Sequence, residues 1–134
     1  MAWKSLGLCV VVVAAACTAG RDAPLEEIQR TRSGAVDVVL LSSDAAIRKG
    51  WDSFTIEFRT ADGQLVDVGA VKVNATMPMA GMAPMAGEIT VQPADAKGRY
   101  SVSSNLSMAG TWRIDVEWQG PAGSGTATLS TAAQ

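Results

Sequence analysis

Histidine is absent from the 134-residue sequence and cysteine occurs only twice, and these two scarcities exclude several kinds of chemistry. Without histidine the chain lacks the commonest general base and the commonest metal ligand of proteins. Nucleophilic catalysis by serine or cysteine needs such a base beside it, so we expect the protein not to be an enzyme. A blue-copper centre needs two histidines and a cysteine and is also excluded. Four scattered acids are predicted to be solvated carboxylates at turns or exposed strand faces, namely Asp52, Asp62, Asp67 and Asp115.

Basic residues are too few and too scattered to form a nucleic-acid-binding stripe. The sequence has 11 lysines and arginines against 13 aspartates and glutamates, a formal net charge of −2. Nucleic-acid-binding domains concentrate lysine and arginine on one face, so we expect no nucleic-acid partner. The length suits one domain with a single hydrophobic core.

Residues 1–16 have the layout of a secretory signal peptide. One positive charge, Lys4, precedes an apolar run over residues 6–16, and small residues follow. The run is shorter than the ~20 apolar residues that span a bilayer. The alternative is an N-terminal helix of the domain. The run has no polar face and no capping signal, and both absences disfavour that alternative.

The end of this run resembles the lipobox of bacterial lipoproteins, in which the signal is cut before a cysteine that is then acylated. The motif here is AAAC at residues 14–17, and it predicts a lipid anchor on Cys17 that holds the protein at a membrane of the cell envelope, facing the periplasm. Ala14 stands where a large aliphatic residue is usual, so simple cleavage after Ala-x-Ala stays a rival. Thr18 after the cysteine favours the outer membrane over the inner one where both exist. Cys9 leaves with the signal, so Cys17 has no disulfide partner.

Beyond the signal, the sequence predicts a tether over residues 17–34 and an all-β domain over residues 35–134. The tether is polar, with a short helix entertained over residues 25–31. The domain alternates short β-prone runs with turn signals, which predicts an immunoglobulin-like antiparallel β-sandwich of seven to eight strands. The clearest predicted strands cover residues 35–41, 51–60, 69–77, 87–93, 98–106, 111–119 and 125–131.

Strict alternation of apolar and polar residues predicts which faces form the core. One face is built by Phe54, Ile56 and Phe58, a second by Val71, Val73, Ala75 and Met77, and a third by Trp112, Ile114, Val116 and Trp118. We expect Trp51, Trp112 and Trp118 to lie in the core rather than to form a ligand platform, although one of them could shield a metal from water.

Methionine is concentrated in a segment that suits neither a helix nor a long strand. Met77, Met79, Met82 and Met85 fall within nine residues that also contain two prolines and a glycine, and Met108 precedes a predicted strand. Thioethers are soft, neutral ligands that suit Cu(I) and bind Zn(II) or Mg(II) poorly. A turn brings sulfurs together, whereas a strand would send alternate side chains to opposite faces. The sequence therefore predicts a Cu(I) site.

Three sulfurs suffice for trigonal Cu(I), and the spacing favours Met79 and Met82, which flank a predicted turn. Met108 or Met77 would be the third ligand, and Met85 is a further candidate that need not bind the metal. Packing is the competing interpretation, since methionine is a flexible core filler and Met77 and Met108 share the parity of core residues. A further alternative is a metal-free interaction module whose apolar loop docks a membrane-protein partner, because exposed apolar loops commonly bind something.

Four motifs along residues 50–118 resemble those of a known family. They are FTIEFRTADGQLV after Gly50, MPMAGM at residues 77–82, GRY at residues 98–100 and MAGTWRIDV at residues 108–116. In this combination the chain resembles the YtkA-like domain family, which is related in pattern to FixH-like proteins. The resemblance covers most of the predicted domain.

The resemblance implies an exported immunoglobulin-like domain. Such domains are often found near copper-handling or oxidase-assembly proteins, which are therefore the expected partners, and related domains occur within metal-efflux adaptors. Family members often carry a histidine close to the Met-Pro segment. This chain has none, so the resemblance does not predict a mixed histidine and methionine site here.

Overall fold

The computed structural model describes residues 24–134, which form two antiparallel β-sheets packed face to face. The predicted signal peptide and Cys17 lie outside the described residues. Nine strands are present rather than the seven to eight expected: β1 Glu26–Ser33, β2 Val36–Ser42, β3 Gly50–Arg59, β4 Ala70–Met77, β5 Met85–Ala86, β6 Glu88–Pro93, β7 Arg99–Leu106, β8 Gly110–Gly120 and β9 Gly123–Ala133. The order is β1-β2-β3-β7-β6 in one sheet and β5-β4-β8-β9 in the other. No helix long and apolar enough to cross a membrane occurs within this range.

Strand β1 lies within the segment expected to be a tether, so the sandwich begins at Glu26 and not at Ala35. It is extended because it pairs with the apolar strand β2, so the short helix considered for residues 25–31 is wrong. Two β1 side chains also reach the other sheet: Gln29 Nε2 donates to the Ser130 carbonyl at 3.1 Å, and Ser33 Oγ donates to the Thr126 carbonyl at 2.8 Å. Local polarity suggested a linker, whereas these tertiary partners make it an edge strand.

The three predicted core faces meet between the sheets. Their members are buried, except for the half-buried Val71, and Trp112 is completely inaccessible to solvent. Trp118 also lies in the core, at the far end of β8. The prediction for Trp51 is wrong, because its side chain is 74% exposed. Trp51 follows the parity opposite to Phe54 and so points to the outer face of its sheet.

The chain passes from one sheet to the other at Gly87. Residues 85–86 pair with β4 in the four-stranded sheet, and β6 pairs with β7 in the five-stranded sheet. A Cβ atom at Gly87 would come within 2.7 Å of Leu106 Cδ2, so a larger residue at this close crossing would have to displace that buried side chain. The crossing places the loop over residues 78–84 directly above one end of the core.

The opposite end, which we call the closed end, comprises the connections over residues 60–69, 94–98 and 121–122. There the Tyr100 hydroxyl donates to the Gly69 carbonyl at 2.6 Å. The ring of Phe58 packs edge-on against those of Tyr100 and Trp118, with centroid distances of 5.5 and 5.2 Å. This aromatic cluster fills the core up to the closed end.

Candidate metal centre

The candidate site lies at what we call the methionine end, where the loop 78–84 and the connection 107–109 lie side by side. The loop joins β4 to β5, and the connection joins β7 to β8. Met77 and Met85 are direct cross-strand partners at the base of the loop. Ser107 Oγ donates to Met85 Sδ at 2.9 Å, which brings the connection against this pair. Residues from two separate parts of the chain are therefore neighbours here.

Within the loop, a tight turn separates Met79 from Met82. The backbone N–H of Met82 donates to the Met79 carbonyl at 3.3 Å. Gly81 adopts a φ of 71°, which only glycine takes up without strain and which this turn requires. Met79 is half-buried, and Met82 is 68% exposed. Met79 and Met82 are thus the first and last residues of one backbone turn.

Met77 is a core residue in this structure. Its side chain is 8% exposed and belongs to the main hydrophobic cluster. Its methyl group lies over Gly110 at the start of β8, where an added Cβ would be 2.9 Å from Met77 Cε. Met85 is half-buried and packs against the same cluster. The packing interpretation therefore describes Met77 well and Met85 in part.

Met108 is placed by a residue whose role the sequence did not reveal. The indole Nε1 of Trp112 donates to the Met108 carbonyl at 2.9 Å. Because Trp112 is fully buried, this bond ties the connection to the rigid core, while the Met108 side chain stays 43% exposed. The sequence MAGTW places Trp112 four residues after Met108, which was the available signal that the two residues are neighbours. The spacing does not show that the indole N–H bonds the Met108 carbonyl.

The donor set at this end is soft and uncharged. Among residues 24–134, no three histidine, cysteine, aspartate or glutamate side chains come together as a metal-binding group. The thioethers at the methionine end are the side chains there whose chemistry fits Cu(I). The acid Glu88 at this end accepts a hydrogen bond from Asn105 Nδ2 at 3.2 Å on the outer face of the sheet.

Two groups with shifted pKa values lie away from the candidate site. The Arg32 guanidinium donates to Asp37 at 2.8 Å and lowers the pKa of that carboxyl, with Arg30 adding a weaker attraction. Burial raises the pKa of Tyr100, and the charge of Asp67 adds to that effect. Asp37 and Tyr100 both lie towards the closed end, so these shifts belong to the scaffold.

A concavity lies on the four-stranded sheet towards the closed end. It has a volume of about 580 Å³ and is lined by residues that include Lys72, Glu117, Ser124 and Thr126. No methionine is among the described residues that line it. Its walls combine Lys72, Glu117 and hydroxyl groups with the apolar side chains of Val71 and Trp118, and it lacks the thioethers of the candidate metal centre.

The fold and the comparisons with known proteins define the class of this protein. Two antiparallel sheets packed around an alternating apolar core make it an immunoglobulin-like β-sandwich. A family model described as YtkA-like matches residues 31–117, and the chain belongs to the YtkA-like family. The matched range includes all five methionines of the candidate site.

One solved structure and the curated proteins complete the comparison. The crystal structure of the Lin-41 filamin domain is similar to this chain with a TM-score of 0.44 and 17% sequence identity. The similarity covers 66% of this chain and 81% of that one. No curated protein matches the chain.

Proposed function

We propose that this YtkA-like protein is an exported lipoprotein that binds Cu(I) through its methionine end and buffers, delivers or exports copper in the cell envelope. The observation that carries the proposal is the contact between the two methionine-bearing connections, through Ser107 and Met85. Several thioethers at one end of a rigid sandwich are a suitable donor set for a soft monovalent ion. A thioether also stays available in an oxidising compartment, where thiols form disulfides.

The proposed ligands are Met79, Met82 and Met108. The first two flank one turn, and Met108 supplies a sulfur from a separate strand end that is hydrogen-bonded to the buried Trp112. A ligand held on a rigid element makes a site more exact than loop residues alone can. Met108 is a better third ligand than Met77, because Met77 is packed in the core. Met85 remains in reserve, since its sulfur already accepts a hydrogen bond.

A pair of leucine substitutions tests the metal site. Met79→Leu with Met82→Leu keeps the volume and apolarity, so folding should survive at a cost below ~1.5 kcal/mol. Cu(I) affinity under reductant, measured against a competing chelator, should fall at least about tenfold, or ~1.4 kcal/mol. Zn(II) should bind neither form measurably.

Single substitutions at other methionines supply the matched controls. Met108→Leu should weaken Cu(I) binding, whereas Met77→Leu makes the same chemical change in the core and should leave the affinity unchanged. If the double variant binds Cu(I) as tightly as the wild type, the loop is not the site. If Met77→Leu weakens binding and Met108→Leu does not, Met77 is the third ligand.

The lipid anchor is tested separately. Replacing Cys17 with Ser should release the protein from the membrane fraction, because the cysteine sulfur that would carry the lipid is removed. Labelled fatty acid should enter the wild type and not the variant. A wild-type chain without label, together with a variant that still sediments with membranes, would contradict the lipoprotein assignment.

A second candidate function is a metal-free module that docks a membrane-protein partner. The exposure of the large apolar side chains of Met82 and Met108 favours it, since exposed apolar groups commonly mark binding surfaces. The same titration separates the two functions. A wild-type protein that binds no Cu(I) would leave the methionines as a partner surface.

A further inference from the structure

The exposed large apolar side chains are all found at one end of the sandwich. Among residues 24–134 they are Leu25, Trp51, Met82 and Met108, which are 45%, 74%, 68% and 43% exposed. Single exposed apolar residues are ordinary on protein surfaces. Their concentration at one end, away from the closed end, is the feature that calls for an explanation.

Strand pairing locates these four residues. Leu25 immediately precedes Glu26, which pairs with Ser42 at the end of β2. Trp51 is the second residue of β3, and its neighbour Gly50 pairs with Leu106 at the end of β7. Met108 follows that strand end, and Met82 lies in the loop beside it. All four therefore belong to the methionine end.

The N-terminal segment also joins the sandwich at this end, because β1 starts there. Eight residues lie between the proposed anchor Cys17 and Glu26, and these nine Cα–Cα steps span at most about 30 Å when fully extended. The sandwich is about 35 Å long, since β8 has 11 residues at ~3.3 Å each. A chain anchored at Cys17 can therefore bring its methionine end to the membrane with a short tether, whereas its closed end would need a tether at or beyond full extension.

We infer that the methionine end rests on the lipid bilayer itself, with Trp51, Leu25, Met82 and Met108 in the interfacial region. This inference rests on the anchoring part of the proposed function and not on copper binding. Tryptophan is the side chain that favours the membrane interface most, because its ring is apolar and its N–H is polar. The four side chains act as a second membrane signal beside the lipid.

The charges at this end suit a lipid surface without net charge. Arg48 pairs with Asp44 at 3.1 Å, and its backbone N–H donates to Asp52 at 2.8 Å. Lys49 is also exposed next to Arg48, but these two cations beside Asp44 and Asp52 do not form the cluster of lysine and arginine that anionic lipids attract. The expected contact is therefore apolar and tolerant of salt. It would place the candidate Cu(I) ligands at the height of the lipid headgroups, facing membrane-embedded copper proteins.

Fluorescence quenching in protein-free vesicles tests this orientation. The full chain, without metal, is reconstituted into phosphatidylcholine vesicles whose acyl chains carry bromine. The fluorescence of the Trp51→Phe variant comes from the other tryptophans. Subtracting it from the wild-type fluorescence gives the signal of Trp51. Interfacial side chains reach about 5–10 Å into the headgroup and acyl boundary, so the Trp51 signal should fall by roughly a factor of two or more.

A matched control places the reporter at the closed end. Gln64 is exposed there, so Trp51→Phe combined with Gln64→Trp moves an exposed indole to the other end of the same protein. Its fluorescence should be unchanged by brominated lipid. Equal quenching at both ends, or an unquenched Trp51 in a chain that floats with the vesicles, would overturn the inference while anchoring stands. In the latter case the apolar residues would be a protein-binding surface. A chain that does not float would overturn both anchoring and docking, and neither result depends on copper.

Discussion

The two ends of the sandwich are built on opposite principles. At the closed end the backbone comes so close to itself that Gly98, with a φ of 87°, has no room for a Cβ against the Val66 carbonyl, and the Tyr100 hydroxyl is bonded to Gly69. At the methionine end large apolar side chains are left exposed. The contrast indicates that the closed end supplies stability, whereas the methionine end keeps apolar groups available for a ligand or a surface.

Trp112 supports the methionine end from within the core. It lies in the fully buried core on β8, the strand that also carries Trp118 to the closed end, and its indole N–H bonds the Met108 carbonyl. At the methionine end the Met108 side chain is thus exposed, while its backbone is held by a hydrogen bond from the core. Binding groups held this way by a rigid scaffold are common in proteins.

The largest effect is expected from Trp112→Ala, which removes a completely buried side chain from the core behind the methionine end. Truncation of a large buried aromatic residue should cost ~3–5 kcal/mol, a large part of the ~5–15 kcal/mol that stabilises a typical domain. Chemical denaturation, followed by circular dichroism, measures this loss. A variant that melts within a few degrees of the wild type would mean that Trp112 does not form the core.

Gly98→Ala should destabilise the closed end by about 2–4 kcal/mol, because it combines a left-handed φ with a collision against backbone atoms. The contacted atom belongs to the Val66 carbonyl and cannot swing away as a flexible side chain could. The Cu(I) affinity of the folded fraction should not change. A loss of Cu(I) affinity at a temperature where the variant is folded would show that the two ends are coupled.

Trp112→Phe should loosen the methionine end while keeping most of the core. The substitution removes the N–H that bonds Met108, at a stability cost of about 1–2 kcal/mol. Because the connection 107–109 loses its tie to the core, Cu(I) affinity should fall by up to about tenfold, or ~1.4 kcal/mol.

The matched control for that prediction is Trp118→Phe, the same change on the same strand at the closed end. It should lower the stability and leave Cu(I) affinity as it is. If both variants weaken Cu(I) binding equally, the effect comes from general destabilisation and not from the Met108 bond.

The smallest effect is expected from acid titration of Asp37, towards the closed end. The hydrogen bond from Arg32 lowers the pKa of this carboxyl in the folded protein. Its stabilising contribution is therefore present above the ordinary pKa of about 3.9 and is lost as the pH falls through the lower folded value. Asp37→Asn should reduce stability near neutral pH and converge with the wild type in acid. A difference that does not shrink on acidification would contradict this role for Asp37.

Predictions from local pattern were most accurate where one strand faces one core. The alternation of Trp112, Ile114, Val116 and Trp118 was sufficient to place all four inside, because a side-chain period of two leaves only one face for the apolar residues. The same rule fails for Trp51. Its parity already pointed outward relative to Phe54, and its size alone suggested burial. Parity was the more reliable guide.

Most of the strands, the alternating core and the concentration of methionines in one loop could be determined from the amino-acid sequence, because they depend on period, turn chemistry and composition. Three features depend on contacts between distant residues, and only the tertiary structure decided them. Strand β1 forms because β2 and the carbonyls of β9 provide its partners. Hydrogen bonds from Ser107 and Trp112 hold the connection 107–109 beside the base of the loop 78–84. The exposed apolar residues share one end because strand pairing places the start of β3 beside the end of β7, a relation that no local pattern contains.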